Sequence, residues 1–164
     1  MQDHRYSFEI DGTPQEIFRL FFGKQTGDII EHGDVRIEIL HGGDENNEGL
    51  VRHCYFRVPK YLLSGGVAQS WEWLTQVRPG ESWRYDAVGK PLWSKATGQT
   101  RLEDLGDGRT RVHFRETYEV FNPILRWLLE KRVHAYISKD NDKLIKASIE
   151  KGLLAMRART GRAA

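Results

Sequence analysis

The chain has 164 residues, a length typical of one domain with its own hydrophobic core. Lys and Arg total 25 against 23 Asp and Glu, and the net charge of +2 argues against a nucleic-acid-binding protein. The single cysteine, Cys54, excludes an internal disulfide and a thiolate-rich metal site, and it fits a reducing, cytoplasmic location. No apolar stretch has the length of a membrane span, so the sequence predicts a soluble protein.

A strand and a short helix are the first predicted elements. Residues 4–10 alternate between apolar and polar side chains, which indicates a half-buried strand. A helix follows at once, with Thr13 as its N-cap and Pro14 at its first position. Its apolar residues stop at Gly23, and we expect a second short helical piece to run to about Ile30.

Six further strands follow, and turns rich in glycine and proline separate most of them. They are predicted at residues 35–39, 50–58, 69–77, 82–88, 93–102 and 109–120. The sheet must be antiparallel, because the helices that parallel connections require are missing. The last strand alternates most regularly, which predicts one dry face and one wet face.

A long amphipathic helix closes the domain. It begins at Pro123, runs to about Met156, and completes a single domain over residues 1–156. Its apolar stripe is predicted to consist of Leu129, Val133, Tyr136, Ile137, Leu144, Ala147 and Ser148. The basic tail, residues 157–164, is expected to be loosely ordered.

These elements predict an α+β fold in which a curved antiparallel sheet of about seven strands wraps round the C-terminal helix. The two short helices after the first strand are expected to plug one end. A twisted sheet curls, so a straight helix cannot contact the whole concave face. We therefore expect a cavity between the sheet and the helix.

At this point the chain resembles the START-related and polyketide cyclase (SRPBCC) superfamily, whose members share the helix-grip fold. The features that carry the resemblance, over nearly the whole chain, are the helix start at 13–18, the hairpin at 100–112, and the closing helix from Pro123 with residues 140–144 and Glu150. The resemblance implies that the cavity binds a lipid, sterol, quinone or polyketide-like molecule. It implies catalysis in only some branches and supplies no common catalytic triad.

Glu116 is the sharpest candidate for a functional residue. Alternation places it between Phe114 and Tyr118 on the dry face, where an isolated carboxylate is costly. One interpretation is a cavity acid that binds a ligand hydroxyl or acts as a general acid or base. The other is a structural carboxylate that pairs with Arg52 or Tyr6, or that a bulge turns outward.

Arg52 faces the cavity if its strand keeps strict alternation, but the opposite face, with His53 and Tyr55, is nearly as apolar. The inward face of strand 50–58 is therefore open. Small side chains near Gly98 are expected to leave room where Glu116 points. The ligand-binding candidates are Glu116, Tyr118, Phe114, Arg52, Trp71, Trp73, Gly98, Tyr136, Ile137 and Asp140. The tryptophans either stack on a flat ligand or stabilise the sheet, and Asp140 interrupts the apolar stripe of the helix.

No metal or nucleotide cofactor is expected, because the histidines are scattered and no glycine-rich loop opens a helix after a strand. The leading hypothesis is a binding or carrier protein for a small hydrophobic molecule. The alternative is an enzyme of the cyclase, dehydratase or hydrolase kind that uses Glu116. A third interpretation gives Trp127 and Leu128 a role in a homodimer or at a membrane surface.

Overall fold

The computed structural model describes residues 1–32, 35–58, 60, 65–90 and 92–160, with the backbone alone described for His32, 137–144 and 159–160. Eight strands form one antiparallel sheet in the order β1-β8-β7-β6-β5-β4-β3-β2. The strands are β1 (Gln2–Asp11), β2 (Ile29–His32), β3 (Val35–His41), β4 (Val51–Arg57), β5 (Val67–Arg78), β6 (Ser82–Lys90), β7 (Ser94–Gly106) and β8 (Arg109–Val120). The helices are α1 (Pro14–Phe21), α2 (Pro123–Leu125), a π-helical turn (Arg126–Glu130) and α3 (Lys131–Thr160). The predicted α+β class, with a curved antiparallel sheet and a long C-terminal helix, is confirmed.

Helix α1 begins where the sequence predicts. Thr13 Oγ1 accepts a hydrogen bond from the Glu16 amide at 3.2 Å, and the Glu16 carboxylate accepts one from the Thr13 amide at 2.9 Å. Pro14 occupies the first helical position. This reciprocal capping box satisfies two amides that the helix itself leaves without acceptors.

The expected second helical piece is wrong, and a strand replaces it. Gly23 and Gly27 have φ angles of 77° and 93°, a conformation that a right-handed helix cannot contain. Residues 29–32 instead form the edge strand β2, in which Ile30 is opposite Ile37 of β3. Both side chains pack against the larger hydrophobic core, so the segment buries more apolar surface as a strand.

The sheet has one apolar face and one charged face, as the alternation of β8 predicts. On β8 the buried residues are Thr110, Val112, Glu116, Tyr118 and Val120. The residues between them point to the outer face and form ion pairs with neighbouring strands, such as Arg111 with Glu9 and Arg115 with Asp3, each at 2.8 Å. The inner face is therefore the one that α3 covers.

Helix α3 meets the inner face in two separate hydrophobic cores. In the larger core, Ile149 and Leu153 of α3 pack with residues that include Ile10, Ile17, Leu74, Trp83, Leu102 and Val112. In the smaller core, Val133 of α3 packs with Leu92, Tyr118 and Val120. The two cores hold opposite ends of the helix and leave the middle of the sheet between them.

The predicted helical stripe is only partly correct. Val133 is buried, but Tyr136 and Ala147 are exposed, and the buried positions continue at Ile149 instead. The predicted members Ile137 and Leu144, and Asp140 that interrupts the stripe between them, have side chains outside the described residues. The π-helical turn before α3 adds a residue to one turn and so shifts every later position round the helix axis.

Side-chain hydrogen bonds hold the end of α3 against the start of α1. Helix α3 continues to Thr160, and the Arg157 guanidinium donates to both oxygens of Glu16 at 3.1 and 3.0 Å. Arg157 also donates to the backbone carbonyl of Asp11 at 3.1 Å. These bonds fasten the end of α3 to the start of α1.

The hydrogen bonds between Arg157 and Glu16 make the stability of the fold depend on pH. The hydrogen bond from Arg157, followed by the one from the Thr13 amide, lowers the pKa of Glu16 from 4.5 to about 2. A carboxylate with a lowered folded-state pKa stabilises the fold above its unfolded pKa and loses that effect as pH falls through the folded pKa. We expect Glu16→Gln to cost roughly 1–2 kcal/mol at neutral pH, after solvent screening, and to cost progressively less between about pH 4.5 and pH 2.

Urea unfolding of both proteins across that pH range measures the difference. Glu150→Gln is the matched control, because Glu150 is half-exposed and lies 3.7 Å from Lys146 in a weak surface pair. A cost for Glu16→Gln that stays constant down to pH 2 would contradict the assignment.

Candidate functional site

The candidate site is a band of inward-facing residues in the middle of the sheet, between the two hydrophobic cores. Strand register places these residues in two adjoining rows. The first row is Tyr118, Ala96, Ala87, Glu72 and Arg52, and the second is Glu116, Gly98, Tyr85 and Leu74. These rows include the charged residues Arg52, Glu72 and Glu116, so the band is more polar than the cores on either side.

An ion pair between Arg52 and Glu72 forms one side of the band. Arg52 Nε donates to Glu72 Oε2 at 2.8 Å and Arg52 Nη2 approaches the same oxygen at 2.6 Å, while Ser70 Oγ donates to Glu72 Oε1 at 3.0 Å. Burial alone lowers the pKa of Arg52, but the charge of Glu72 outweighs it and raises that pKa. Arg52 therefore keeps its positive charge at neutral pH.

The inward position of Arg52 answers the question that the sequence left open for this strand. Arg52 and Cys54 face inward, whereas His53 and Tyr55 face outward, where the Tyr55 hydroxyl lies 2.9 Å from His53 Nδ1. Burial, followed by the charge of Glu72, raises the pKa of the Cys54 thiol well above its usual range. Cys54 is thus a protonated filler of the inner face rather than a nucleophile.

Tyr85 lies over Gly98, where the sequence predicts open space. A Cβ built on Gly98 would overlap the Tyr85 ring, so the ring lies directly across the glycine backbone. The expectation that Gly98 leaves free space is therefore wrong, because the neighbouring strand fills that space. Burial, followed by the negative charge of Glu116, raises the pKa of Tyr85, so its phenol remains a hydrogen-bond donor at neutral pH.

Glu116 faces inward and is buried, with 6% of its surface exposed. The outward-turning bulge is excluded, because the register of β8 with β1 is regular along its whole length. Its neighbour Phe114 lies inward too, with ring centroids 5.0 Å from Tyr6 and 6.5 Å from Tyr85. The structure thus brings Glu116, Phe114 and Tyr85 together on one face.

Tyr118 continues the band toward the smaller core. Its ring stacks on that of His134 from α3 at 6.0 Å, and His4 approaches the other side of His134 at 6.1 Å. Burial, followed by the nearby His4, lowers the pKa of His134, so its imidazole is neutral at pH 7.

Trp71 and Trp73 do not join the other candidates. Register places Glu72 and Leu74 inward, so the two tryptophans between and before them point to the outer face. There the Trp71 ring stacks on His53 at 4.4 Å. Trp73 is among the exposed aromatic residues. Their placement corrects the expectation that they line the cavity.

Of the three predicted site residues on the C-terminal helix, one has a described side chain. Tyr136 is exposed. The side chains of Ile137 and Asp140 lie outside the described residues. Three polar residues near these candidates, Glu72 and Tyr85 on the sheet and His134 on α3, were not predicted as site residues. For Glu72 and Tyr85 the signal was present, since alternation puts each on the opposite face from its neighbours in the chain.

A polar hollow of about 460 Å³ lies apart from this band. It is bounded by two loops, with lining residues 23–26, 41–45 and Asn47. Asn47 closes it, since its side chain bonds Gly23, Lys24 and Gly42. Among the described residues no three His, Cys, Asp or Glu side chains are placed to hold a metal ion. No helix in the described parts of the chain is long and apolar enough to cross a membrane.

No family model matches the chain, and no curated protein matches it. Solved structures do. The protein TTHA0849 of Thermus thermophilus has a TM-score of 0.67 at 17% identity, covering 94% of this chain and 99% of its own. A START superfamily protein of Mycobacterium smegmatis has a TM-score of 0.61 at 12% identity, covering 91% and 97%. The di-domain ARO/CYC BexL from the BE-7585A biosynthetic pathway has a TM-score of 0.54 at 12% identity, covering 93% and 45%, so the chain spans less than half of that protein.

These likenesses show the fold of the chain, which is the helix-grip fold that it shares with these solved structures. The predicted resemblance to the START-related superfamily is confirmed at the level of the fold.

The contact between Tyr85 and Gly98 can be tested by mutation. A methyl group at position 98 forces the Tyr85 ring out of its seat, so we expect Gly98→Ala to lower the free energy of unfolding by about 1–3 kcal/mol. In a Tyr85→Ala background the same substitution should cost less than about 0.5 kcal/mol, because the obstructing ring is gone. Urea unfolding of the four proteins measures the coupling. An equal cost in both backgrounds would contradict the proposed contact.

Proposed function

We propose that this protein binds a small hydrophobic molecule, such as a lipid, sterol, quinone or polyketide, between the middle of the sheet and α3. One observation carries the proposal: some inward-facing side chains of the middle band remain partly accessible, although the residues of the two cores on either side are buried. The Arg52 side chain, deep on the inner face, keeps 22% of its surface exposed. The inward rings of Tyr6, Tyr85 and Phe114 are also only half-buried.

Partial exposure of inward apolar rings favours a ligand site over a simple packing gap. Protein interiors are close-packed, and apolar rings left against open space lose both dispersion contacts and hydrophobic burial. A ligand that fills the band would cover Phe114 and Tyr85 and restore those contacts. The walls are pre-formed by β-strands, which is typical of sites for small molecules.

The polar groups of the band support a ligand with at least one oxygen. The charges of Arg52 and Glu72 largely neutralise each other, which makes the band a poor site for a strongly charged head group. Tyr85 is a protonated donor, and Glu116 adds a carboxyl group two strands away, on the other side of Gly98. A hydroxyl or carbonyl on an otherwise apolar molecule fits this set, and it would fix the orientation of the ligand.

A second candidate function is catalysis of the cyclase, dehydratase or hydrolase kind. The pairing of a buried carboxyl group, Glu116, with a protonated phenol, Tyr85, supports it, since such a pair can exchange a proton with a bound carbonyl or hydroxyl. The ARO/CYC protein among the structural neighbours supports it at the level of the fold. A cytoplasmic location is proposed for either function, consistent with one buried free thiol at Cys54.

Filling the band tests the binding site. We expect Nile red, an uncharged apolar dye that carries a carbonyl group, to bind the wild-type protein saturably at one site, with enhanced fluorescence. Ala96→Trp places an indole inside the band and should weaken dye binding at least about tenfold. Gln99→Trp, whose side chain is exposed on the outer face of the same strand, is the control and should bind like wild type. Circular dichroism and thermal unfolding confirm that each variant is folded. Equal affinity in all three proteins would sink the proposal.

The choice between carrier and enzyme rests on Glu116. The protein and Glu116→Gln are purified from a host that makes the natural ligand, and the bound molecules are extracted and identified by mass spectrometry. A carrier should retain the same molecule in both proteins, because the amide is isosteric with the carboxyl group. An enzyme should retain its substrate only in Glu116→Gln, because the acid that converts it is missing.

A further inference from the structure

An apolar patch lies on the surface where the C-terminal helical segment begins. It consists of Phe121, Ile124, Trp127 and Leu128, whose exposed fractions are 47%, 66%, 84% and 49%. Trp127 and Leu128 follow Ile124 by three and four residues, so both are neighbours of Ile124 on one side of the helix. Single exposed apolar residues are ordinary, but a contiguous group that includes an almost fully exposed tryptophan marks an interaction surface.

Polar contacts on the other side of this helix hold the patch outward. Glu130, only 2% exposed, accepts hydrogen bonds from the Val120 amide at 2.9 Å and from Gln2 Nε2 at 3.1 Å. Arg126 Nε donates to the Val120 carbonyl at 2.7 Å, and its guanidinium pairs with Glu119 at 2.9 Å. The segment cannot rotate the patch inward without breaking these bonds in a buried setting, so the exposure is built into the fold.

The inner side of the same segment is already filled. Leu125 and Leu129 pack against the smaller core, beside Tyr118 and Val133. The helix therefore has a core-facing apolar side and a second, solvent-facing one. Folding of this chain uses the first and leaves the second for contact with something else.

The charges around the patch indicate what covers it. From Phe121 to Tyr136 the only acidic residue is Glu130, which is buried, whereas Lys131 and Arg132 are exposed. Within residues 121–136 the patch is thus bordered by exposed cations and by no exposed carboxylate. Exposed tryptophan and aliphatic side chains beside lysine and arginine are typical of helices that lie in the interface of an anionic membrane.

A second copy of the chain fits this surface less well. Two-fold pairing through the patch uses the same surface on both copies, so it brings Lys131 and Arg132 of both copies into one interface. Like charges at an interface oppose association. An anionic lipid surface attracts the same border instead.

We propose that the patch, with Lys131 and Arg132, docks the protein reversibly onto a membrane surface that contains anionic lipid. The apolar side chains enter the boundary between head groups and acyl chains, and the two cations lie against the lipid phosphates and carboxylates. This proposal does not depend on the ligand of the inner cavity, because empty vesicles supply everything the surface requires.

Vesicle co-sedimentation of the full chain tests the proposal, with Trp127→Ala and the double variant Lys131→Gln/Arg132→Gln. Wild type should sediment with vesicles of phosphatidylglycerol and phosphatidylcholine at low salt, bind pure phosphatidylcholine much more weakly, and dissociate as salt is raised. Trp127→Ala should weaken binding at least about tenfold. The double variant should weaken it about thirtyfold on anionic vesicles.

Matched controls carry the same changes elsewhere on the surface. Trp73→Ala removes another exposed tryptophan, on the outer face of the sheet, and Arg78→Gln/Arg101→Gln removes two exposed cations of the sheet, so both should bind vesicles as wild type does. Thermal unfolding confirms that every variant is folded. Absence of wild-type binding to anionic vesicles overturns the proposal, as does equal loss in the controls. Light scattering that shows a dimer abolished by Trp127→Ala, without vesicle binding, assigns the patch to self-association instead.

Discussion

Among the described side chains, the thirty-residue helix α3 meets the inner face of the sheet in two separate hydrophobic cores. Ile149 and Leu153 of α3 belong to one core, and Val133 belongs to the other. Polar residues of the sheet lie between the cores, because there a charged side chain need not displace apolar packing. The cores that stabilise the fold are thus separate from the band where we propose that a ligand binds.

The ion pair of Arg52 and Glu72 shows how that middle region tolerates charge. Burying either ion alone costs several kcal/mol, whereas the pair with Ser70 satisfies most of its hydrogen-bonding groups internally. The pair adds little net charge, so it polarises the band without making it a site for ions. Tyr85 lies nearby and is protonated, so its hydroxyl is a hydrogen-bond donor that can orient a bound group. A largely apolar molecule with one oxygen is the ligand that such a surface distinguishes best.

Much of the fold could be predicted from local patterns, because Thr13 and Pro14 fix a helix start and the alternation of β8 fixes two faces. The site was predictable only in part. Glu116 was found because its own strand makes it anomalous, but the pairing of Arg52 with Glu72 depends on register between two strands, and a period of two says nothing about register. Glu72 was not predicted, although alternation puts its side chain on the opposite face of the sheet from those of Trp71 and Trp73. Strand β2 was missed because a four-residue segment has too few positions to reveal a period.

The seat of Tyr85 on Gly98 has a consequence for how such a protein diversifies. The Tyr85 ring covers the backbone of Gly98, so it sets how closely the proposed ligand can approach the sheet at that point. A smaller residue at position 85, with the glycine retained, would enlarge the proposed site by the volume of a ring and leave the strands unchanged. Ligand length could then change through one codon, while the strands, the ion pair and the two cores stay as they are.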